Sequence, residues 1–560
     1  MTKEIFEPIQ IIWHVGNRCN ARCKYCFTSA SFSDQAVSNA TWKTVVDRIN
    51  REKSITKVSI IGGEPLLVGE LPLIIQNLRK DILTNVDSNL TSIQDRWNSV
   101  FKQTVFSTTV DDIDENINFK TRGHSAQKTI EGVKFLLNKG IKVQVIIVVT
   151  KHNINTLEKT VKYFLNLGVE RVGISKVRMV GRAWNFGCEY FYEDVEAIKE
   201  KTAKVVKKLI DSYGKERVLV YSLWHDKKFF DLGYEYEPSC KCALFRASID
   251  WDGFMYPCEL MPFYWKDFEK TYGLERPDLK EVSISQAFNS ELFKFFREGM
   301  LSYPVGCESC TYKDICNHGC RFYAFLTSTV LLAKDTTCGT NSVYDALGYH
   351  HFSPLSTHGR KRWKTGKAMF LKEITNVLGR KVYDLNCGGG LWTFFLEDLG
   401  KQVIGIDSDR TMMLIAKEYK DLNNRRSDFV LANPLTYAYK KADSAILLDN
   451  KVGYLSSEEI LKLLKKLKNK VKVFVVEVDK KEISRGIRDY RMGPFDIKEE
   501  ITKVGRKYKR KVLNKQTGAK FEVAYCGWGP HTMRKVLKDF GDVVIEKDIC
   551  DSYILALKFK

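Results

Sequence analysis

The sequence predicts an α/β protein of several domains, and three features of the chain support this prediction. Short apolar strands alternate with helical stretches as far as about residue 235, which indicates βαβ units and a parallel sheet. Eight of the 15 cysteines lie between Cys240 and Cys338, which marks a separate cysteine-rich region. Beyond residue 380, a strand, a glycine-rich turn, a helix and a second strand with a terminal acid follow in the order of a Rossmann unit.

Length and composition limit the class of protein. A chain of 560 residues with 44% hydrophobic content has room for roughly two to four domains with real cores. No apolar run of about 18 residues and no apolar N-terminal region is visible, which predicts a cytoplasmic protein without a transmembrane helix or signal peptide. In that compartment, 15 cysteines indicate metal sites rather than disulfides. The net charge of +21 favours acidic partners, including nucleic acid, but it is also typical of lysine-rich surfaces and does not decide the function.

A loop with three cysteines, Cys19, Cys23 and Cys26, follows the first apolar strand at residues 10–15. Thiolates are soft ligands that suit zinc or the irons of an iron–sulfur cluster. A zinc site would need a second Cys or His pair close by, so the sequence favours a [4Fe–4S] cluster held through three irons. Because this loop has no fourth cysteine, the fourth iron would remain open to a small molecule.

The next strand of this region, at residues 58–61, ends in a Gly-Gly-Glu-Pro turn. Glycines let the backbone approach a ligand closely, and proline ends a strand. A tight strand-to-helix turn is the alternative. The turn consists of Gly62, Gly63, Glu64 and Pro65.

The cysteine spacing, the aromatic Phe27 after it and the Gly-Gly-Glu-Pro turn together resemble the radical S-adenosylmethionine (SAM) enzymes. In that family, the open iron chelates SAM, and one electron cleaves SAM to methionine and a 5′-deoxyadenosyl radical. The resemblance implies a partial (β/α)6 TIM-like barrel over residues 1–235 and an electron donor such as a ferredoxin or flavodoxin. Asp112 stands where the family usually has Gly. Besides the turn, the SAM-contacting residues that the resemblance implies are Thr109, Asp111, Arg122 and Asn153.

The cysteine-rich region begins with a predicted β-hairpin over residues 246–258, which has Asp252-Gly253 at its turn. Its cysteine spacings resemble those of a SPASM domain, the auxiliary-cluster module of many peptide-modifying radical SAM enzymes; a pair of structural zinc sites is the alternative. The resemblance implies a domain over residues 236–340 with two further [4Fe–4S] clusters. The implied ligands are Cys240, Cys242, Cys258 and Cys320 for the first cluster, and Cys307, Cys310, Cys316 and Cys338 for the second.

Two details of this region bear on its chemistry. Cys240 lies closer to Cys242 than the equivalent family ligand does, and without Cys240 the first auxiliary cluster would have an open iron. Glu259 directly follows Cys258, and in relatives that oxidise peptide side chains an acid at this position acts as general base. A surface-exposed hairpin glutamate is the alternative for Glu259.

Residues 341–365 read as a connector that is rich in histidine. No Cys or acidic residue lies at metal-ligand spacing from these histidines, so a substrate-facing loop or a plain linker is favoured over a metal site. The glycine-rich turn and acid that follow resemble those of class I SAM-dependent methyltransferases. The resemblance implies a Rossmann-like domain over residues 366–560, with Asn386 replacing the first motif glycine in a left-handed conformation. The implied contacts to a second SAM are Asp384, Gly388, Gly390, Asp407 and, near adenine, Asp428.

Near the end of the chain, residues 503–520 are very basic and contain no acid. A solvated hairpin is favoured over a patch for an anionic substrate. Four cysteines match no cluster position and are interpreted as core or spare thiols: Cys188, Cys387, Cys526 and Cys550.

These features predict a bifunctional enzyme that modifies a peptide or protein side chain by 5′-deoxyadenosyl radical chemistry and methylates the same product. One alternative is an RNA-modifying radical SAM enzyme, which the charge and the basic hairpin motivate, although no RNA-binding module is visible. The other is a single-activity peptide maturase whose Rossmann domain only binds substrate or SAM.

Overall fold

The computed structural model of the protein describes residues 8–560 except for 31–35, 193, 221–223, 225–228, 230–239, 309, 317–318, 336–337, 339–343, 345–346, 450, 481–485, 505–506 and 550–551. The chain forms two compact units, one of Met1–Tyr303 with Cys307–Phe322, and one of Pro304–Gly306 with Tyr323–Lys560. The four domain ranges predicted from the sequence are finer than this division and remain a prediction. Cys550 lies outside the described residues, as do residues 341–343 and 345–346 of the predicted connector.

In its described part, the first unit is built on a nine-stranded sheet with the order β7-β6-β5-β4-β3-β2-β1-β8-β9. All neighbouring strands are parallel except β8 and β9, which form an antiparallel hairpin. The predicted alternation of strands and helices is therefore confirmed. The strands are β1 (Ile9–His14), β2 (Ile55–Ile61), β3 (Leu83–Asp87), β4 (Thr104–Thr109), β5 (Val143–Val149), β6 (Arg171–Lys176), β7 (Val218–Val220), β8 (Arg246–Ile249) and β9 (Met255–Tyr256).

Helices connect the parallel strands, and local capping fixes where several of them begin. The Ser38 hydroxyl accepts the backbone N–H of Thr41, and the Ser125 hydroxyl accepts that of Lys128, which satisfies free donors at two helix starts. The helices are α1 (Asn39–Arg51), α2 (Leu71–Asn77), α3 (Glu115–Arg122), α4 (Ala126–Asn138), α5 (Leu157–Leu167), α6 (Arg182–Phe186), α7 (Cys188–Phe191), α8 (Val195–Tyr213), α9 (Met261–Tyr272), α10 (Ile284–Phe288), α11 (Glu291–Leu301) and α12 (Lys313–Cys316).

The predicted hairpin of the cysteine-rich region is present as β8 and β9. The buried carboxylate of Asp250 accepts the backbone N–H groups of Asp252 and Phe254 and the hydroxyl of Tyr256, which folds the turn. Gly253 has φ of +91°, a left-handed conformation that glycine adopts without strain. Because β8 pairs in parallel with β1, the hairpin extends the sheet that carries the first cysteine loop.

The described part of the second unit contains a seven-stranded sheet with the order β12-β11-β10-β13-β14-β20-β19 and a four-stranded antiparallel sheet β15-β16-β17-β18. In the larger sheet, β10 to β14 are parallel and β20 is antiparallel to both of its neighbours. The strands are β10 (Lys381–Leu385), β11 (Gln402–Asp407), β12 (Asp428–Leu431), β13 (Ser444–Leu447), β14 (Val473–Asp479), β15 (Gly486–Met492), β16 (Phe495–Val504), β17 (Lys507–Asn514), β18 (Lys520–Tyr525), β19 (Gly541–Ile549) and β20 (Ser552–Phe559).

Successive residues of the central strands are buried on opposite faces of the larger sheet. Val382 and Ile446 belong to one apolar cluster, whereas Tyr383, Leu385 and Leu447 belong to the other. Both faces are thus covered, as expected for a parallel sheet between helices. The helices from residue 321 onward are α13 (Arg321–Ser328), α14 (Thr357–Lys361), α15 (Gly366–Glu373), α16 (Thr375–Leu378), α17 (Leu391–Asp398), α18 (Arg410–Leu422), α19 (Ser457–Leu467) and α20 (Pro530–Lys538).

The structure supports the α/β fold class predicted from the sequence. In the part of the chain that the structure describes, a search for helices long and apolar enough to cross a membrane finds none.

Candidate functional site

The three cysteines of the first loop follow the carboxyl end of β1 and lie together. Cys19 is buried against Ala21 and Ala30, and the half-buried Cys23 and Cys26 pack on the same small cluster. Backbone hydrogen bonds tie the loop to the turn after β2: Gly63 N donates to Gly16 O at 2.9 Å, and Glu64 N donates to Arg18 O at 2.8 Å.

The two glycines of the Gly-Gly-Glu-Pro turn are required by this packing. A Cβ atom on Gly62 would lie 2.5 Å from Gly16 O, and one on Gly63 would lie 2.1 Å from Arg18 O. Both distances are far below van der Waals contact, so the turn can approach the cysteine loop only without side chains. The close approach predicted for these glycines is therefore made to the backbone of the cysteine loop.

Glu64 is buried, and both oxygens of its carboxylate accept hydrogen bonds from the protein. It accepts the N–H groups of Leu66 at 3.0 Å and Asn89 at 2.7 Å, and the hydroxyl of Ser88 at 2.7 Å. Burial raises the pKa of Glu64, although these hydrogen bonds act in the opposite direction. Glu64 thus joins the turn after β2 to the turn after β3. Pro65 begins a short 3-10 turn directly after it.

Asp111 and Arg122 meet at a tyrosine of the cysteine loop. The Tyr25 hydroxyl donates to Asp111 Oδ2 at 2.5 Å and accepts from Arg122 Nη1 at 3.0 Å. Thr121 Oγ1 also donates to Asp111 Oδ2, at 2.6 Å. The Nε of Arg122 is buried and has no hydrogen-bond partner among the residues that the structure describes, so the guanidinium retains a donor for an anionic ligand. The sequence interpretation included Asp111 and Arg122 but missed Tyr25.

The other two predicted SAM contacts differ in their surroundings. Asn153 donates from Nδ2 to Asp111 O at 2.8 Å and to Val148 O at 2.9 Å, and its Oδ1 accepts Thr150 N at 2.8 Å. It therefore holds the ends of two strands together. Thr109, the last residue of β4, is half-buried at the same edge of the sheet.

The donor set of this loop fits an iron–sulfur cluster. Burial raises the pKa of the Cys19 thiol to about 12, and it also raises that of Cys23, so thiolates would form here when a metal replaces the protons. Among the described residues, no three Cys, His, Asp or Glu side chains converge on one ion. Thiolates of a four-iron cluster bind different irons, so they need not converge. Cys19, Cys23 and Cys26 would hold such a cluster.

The structure brings together the four cysteines implied for the first auxiliary cluster. The thiol of Cys242 shares hydrogen bonds with those of Cys240 and Cys258, and Cys320 interacts electrostatically with Cys258. The contact with Cys242 and burial raise the pKa of Cys240. For Cys242 the contact with Cys240 lowers the pKa, but the contact with Cys258 and burial outweigh it and the net shift is upward. Two buried and two half-buried thiols that lie together are a suitable ligand set for a cluster.

The second implied set is divided between the two compact units. Cys307, Cys310 and Cys316 lie in the first unit, where Cys310 N donates to Cys307 O at 3.1 Å. Cys338 lies in the second unit and is exposed. This ligand set remains a prediction.

Glu259 is paired with an arginine and is not a surface-exposed hairpin glutamate. Its side chain is 16% exposed and forms an ion pair with Arg178, which follows β6. Burial by itself raises the pKa of Glu259, but Arg178 and Arg246 outweigh burial and the net shift is downward. Arg178 could not be identified from the sequence as the partner of Glu259, because the two residues are 81 positions apart.

A second candidate site lies at the carboxyl ends of β10 and β11. The turn after β10 is left-handed at Asn386 (φ +51°), Gly388 (φ +58°) and Gly390 (φ +81°), so asparagine does replace glycine there as expected. Gly388 N donates to Asp407 Oδ2 at 2.7 Å, and Asp409 N donates to Asp407 Oδ1 at 2.8 Å. The structure thus joins the predicted turn to the predicted acid.

The turn is also held by a buried lysine that sequence reasoning missed. Lys451 donates from Nζ to Asn386 O and interacts electrostatically with Asp384. Asp384 accepts the Thr393 hydroxyl at 2.7 Å, and burial raises its pKa to about 7. The polar residues at the end of β13 could have indicated Lys451 as a site residue, because Lys451 follows that strand closely.

The structure does not bring Asp428, which was predicted to lie near adenine, together with the glycine turn and Asp407. Asp428 begins β12 and therefore lies at the amino end, opposite the edge where Asp407 ends β11. Its side chain is 75% exposed and is 3.5 Å from Lys420 Nζ. Asn433, which follows β12, lies at the same edge of the sheet as Asp407, because the neighbouring Ala432 N donates to Asp407 O at 2.9 Å.

Beside the turn, Asp449 is the centre of a buried ionic cluster. Its carboxylate pairs with Arg362 and with Lys367 Nζ at 2.7 Å, and it accepts Trp392 Nε1 at 3.1 Å. Lys367 Nζ also lies 2.6 Å from Glu477 Oε2. Burial opposes the charge on Asp449, but the cations hold its pKa well below the usual range. Polar groups at the ends of β13 and β14 therefore border the glycine turn.

Comparisons with known families match three parts of the chain. The radical SAM superfamily matches residues 13–164, the iron–sulfur cluster-binding SPASM domain matches residues 240–311, and a methyltransferase domain matches residues 382–473. Each match covers one of the candidate sites or part of it.

Individual relatives are distant. The cysteine-type anaerobic sulfatase-maturating enzyme of Clostridium novyi (strain NT) is 23% identical over 350 residues, which are 56% of this chain and 87% of the relative. The GTP 3′,8-cyclase of Staphylococcus epidermidis is 24% identical over 263 residues, 44% of this chain and 76% of the relative. Among solved structures, Streptococcus suis SuiB bound to precursor peptide SuiA has a TM-score of 0.49 at 16% identity, covering 60% of this chain and 77% of that chain.

Proposed function

We propose that this chain, which joins a radical SAM domain, an iron–sulfur SPASM domain and a methyltransferase domain, is a bifunctional enzyme that acts on a peptide or protein side chain. Its radical domain modifies the side chain, and its methyltransferase domain methylates the same product. The domains themselves indicate an enzyme that uses iron–sulfur clusters and SAM. The order and coupling of the two activities are part of the proposal.

The observation that carries the proposal is the docking of the cysteine loop on the Gly-Gly-Glu-Pro turn beside Arg122. When bound, the cluster supplies the electron that cleaves SAM to methionine and a 5′-deoxyadenosyl radical. Gly62 and Gly63 let the loop approach the end of β2, and Glu64 fixes the turn. Arg122 keeps one buried donor, Nε, which suits the SAM carboxylate.

The cysteine-rich region supports two auxiliary clusters, which would make three [4Fe–4S] clusters in the chain. The contacts among Cys240, Cys242 and Cys258 support the first of them. Electrons would enter from a donor such as a ferredoxin or flavodoxin. We retain Glu259 as the candidate base of the radical step, since its lowered pKa keeps the carboxylate deprotonated, the form that a base requires.

A peptide or protein substrate is supported by the name of the Clostridium novyi relative, which matures sulfatases. RNA modification has less support. Four of the eight basic residues in 503–520 are paired within the small sheet: Lys509 with Glu522, Arg510 with Glu499, Lys511 with Glu500 and Lys515 with Asp489. These four pairs reduce the positive charge that the hairpin offers to phosphates.

The single-activity alternative differs from the proposal only in the Rossmann domain. A second SAM there would be held by the glycine turn, with Asp407 on its ribose hydroxyls and Asp384 behind the turn. Methyl transfer then needs an in-line nucleophile and little else from the protein. A domain that merely binds substrate would produce no S-adenosylhomocysteine.

The proposal can be tested with anaerobically reconstituted protein, SAM, a reductant and a short peptide encoded next to the gene. The expected products are 5′-deoxyadenosine and S-adenosylhomocysteine, together with a peptide that carries both the radical modification and a methyl group. Formation of 5′-deoxyadenosine without S-adenosylhomocysteine would favour the single-activity enzyme. Turnover on RNA but on no peptide would contradict the proposed substrate class.

A further inference from the structure

The carboxylate of Asp407 has a third hydrogen-bond donor besides the two backbone amides of its own site. The hydroxyl of Tyr344 donates to Asp407 Oδ2 at 3.3 Å. Tyr344 lies in the connector before the Rossmann domain, 63 positions from Asp407, and both residues belong to the second compact unit. It was not singled out by the sequence motifs.

Tyr344 is positioned directly in front of the glycine turn. A Cβ atom built on Gly388 would lie 3.5 Å from the Tyr344 hydroxyl, and Lys451 Nζ lies 5.7 Å from the centre of the Tyr344 ring. The ring is buried and packs edge-on against Phe352 at 5.2 Å. The connector also covers the turn further along, because a Cβ atom on Gly389 would lie 3.1 Å from Phe352 O.

A carboxylate offers about four lone-pair positions to hydrogen-bond donors. In Asp407, three donors already occupy three of these positions. Two of these donors, Gly388 N and Asp409 N, are backbone groups fixed by the turn and by the loop after β11. Ribose would bring two more hydroxyl donors to the same oxygens. The side-chain hydroxyl of Tyr344 is the donor that can leave without unfolding the turn.

We propose that Tyr344 competes with the ribose hydroxyls for Asp407 and so sets the affinity of the Rossmann site for SAM. This inference rests on the proposed function, because it assumes that Asp407 binds ribose. Tyr344 would then have to give up its hydrogen bond to Asp407 when SAM enters, so SAM would bind this site more weakly than it would without the competing hydroxyl.

The test measures binding by calorimetry in the full-length chain, in a background where Cys19, Cys23 and Cys26 are all replaced by Ala so that the radical site cannot chelate SAM. Tyr344→Phe removes the competing hydroxyl and keeps the ring. S-adenosylhomocysteine should bind the variant about three- to tenfold more tightly, the usual effect of one hydrogen bond. Its 2′,3′-dideoxy analogue should gain much less, because it makes no ribose contact to Asp407.

Tyr553→Phe is the matched control, since Tyr553 also donates to a carboxylate, Glu546 Oε2 at 3.0 Å, but lies on β20 at the other side of the sheet. Its affinity for S-adenosylhomocysteine should equal that of the background protein. Unchanged or weaker binding in Tyr344→Phe would overturn the inference, as would an equal gain for both nucleosides. Failure of the proposed function looks different: no variant, including the background, would bind S-adenosylhomocysteine at all, and the inference would fall with it.

Discussion

The thiols of Cys240 and Cys242 lie close enough to share a hydrogen bond, although only one residue separates them in the chain. Cys242 also contacts Cys258, so the three sulfurs form one group. The short spacing that set Cys240 apart from the family pattern therefore does not keep it away from the other implied ligands. Cys240 therefore remains a candidate ligand of the first auxiliary cluster.

Anaerobic reconstitution should give about twelve irons per chain, four for each cluster. Cys240→Ala should keep most of this iron, because three thiolates can still hold a cluster, and should leave the first auxiliary cluster with an open iron whose EPR signal changes when an external thiol is added. Replacing Cys19, Cys23 and Cys26 together should remove about four irons and abolish 5′-deoxyadenosine. Iron and sulfide analysis provides the measurement.

Cys188→Ala is the matched control for these iron counts, because Cys188 is a buried cysteine of the first unit that fits no cluster position. It should retain about twelve irons. Zinc instead of iron at the later cysteines, or an EPR signal of Cys240→Ala that does not respond to an external thiol, would contradict the assignment.

Gly63→Ala should disrupt the docking of the cysteine loop, because the new Cβ would lie 2.1 Å from Arg18 O. Overpacking of this kind costs about 1–3 kcal/mol. We expect reduced iron at the first cluster and a drop in 5′-deoxyadenosine of at least about tenfold. Gly69→Ala is the control, since no atom lies within 4 Å of its Cβ position, and it should behave as wild type. Equal activity of the two variants would show that the turn does not hold the loop.

Much of the fold could be predicted because it depends on local patterns. Alternating strands and helices predicted both parallel sheets, and the three resemblances are confirmed by the family matches. The strand β7 was missed because it has only three residues, and β12 because none of its residues is buried. Without that strand, nothing in the sequence showed that Asp428 lies at its amino end.

The partners of the site residues could not be predicted, because folding alone brings them together. Arg178 reaches Glu259 from the end of β6, and Tyr344 reaches Asp407 from the connector. Neither residue belongs to a motif. The cysteines and glycines could be identified because their spacing along the chain already determines their geometry.

Glu259→Gln should leave 5′-deoxyadenosine formation in place while the modified peptide falls about 100-fold, since the amide keeps the shape of the side chain but accepts no proton. The measurement is the ratio of modified peptide to 5′-deoxyadenosine. Arg178→Met is the companion variant, because it removes the ion pair and leaves the carboxylate. A normal ratio in Glu259→Gln would return this residue to a structural role in that ion pair.

Asp384 should make the second unit less stable as the pH rises. Burial raises its pKa from 3.8 to about 7, so the folded state holds a proton that the unfolded state has already lost. Stability therefore falls as the pH increases from about 4 to 7 and then levels off. Asp384→Asn removes this loss of stability. The melting temperature of the variant minus that of the wild type should therefore be more positive at pH 8 than at pH 5, as measured by calorimetry.

Asp443→Asn is the control for that pH dependence. Its carboxylate accepts Arg380 N and Lys381 N, both at 2.9 Å, and these bonds lower the pKa of Asp443. It is charged at both pH values, so the variant should lose similar stability at each. A pH-independent difference for Asp384→Asn would mean that Lys451 keeps Asp384 charged throughout.

The last prediction separates the two SAM sites. The cysteine loop needs an open iron and an electron, whereas the Rossmann turn needs only to hold SAM in line with a nucleophile. Asp407 joins the turn through Gly388 N and would bind the ribose, so Asp407→Ala should abolish S-adenosylhomocysteine and spare 5′-deoxyadenosine. Cys23→Ala should eliminate 5′-deoxyadenosine. If the methyl acceptor is the radical product, Cys23→Ala will lose both products on the native peptide and yet still bind SAM at the Rossmann site. Calorimetry that detects no SAM binding in Cys23→Ala would mean that the second unit is not a working methyltransferase, and the chain would then be a radical enzyme with a single activity.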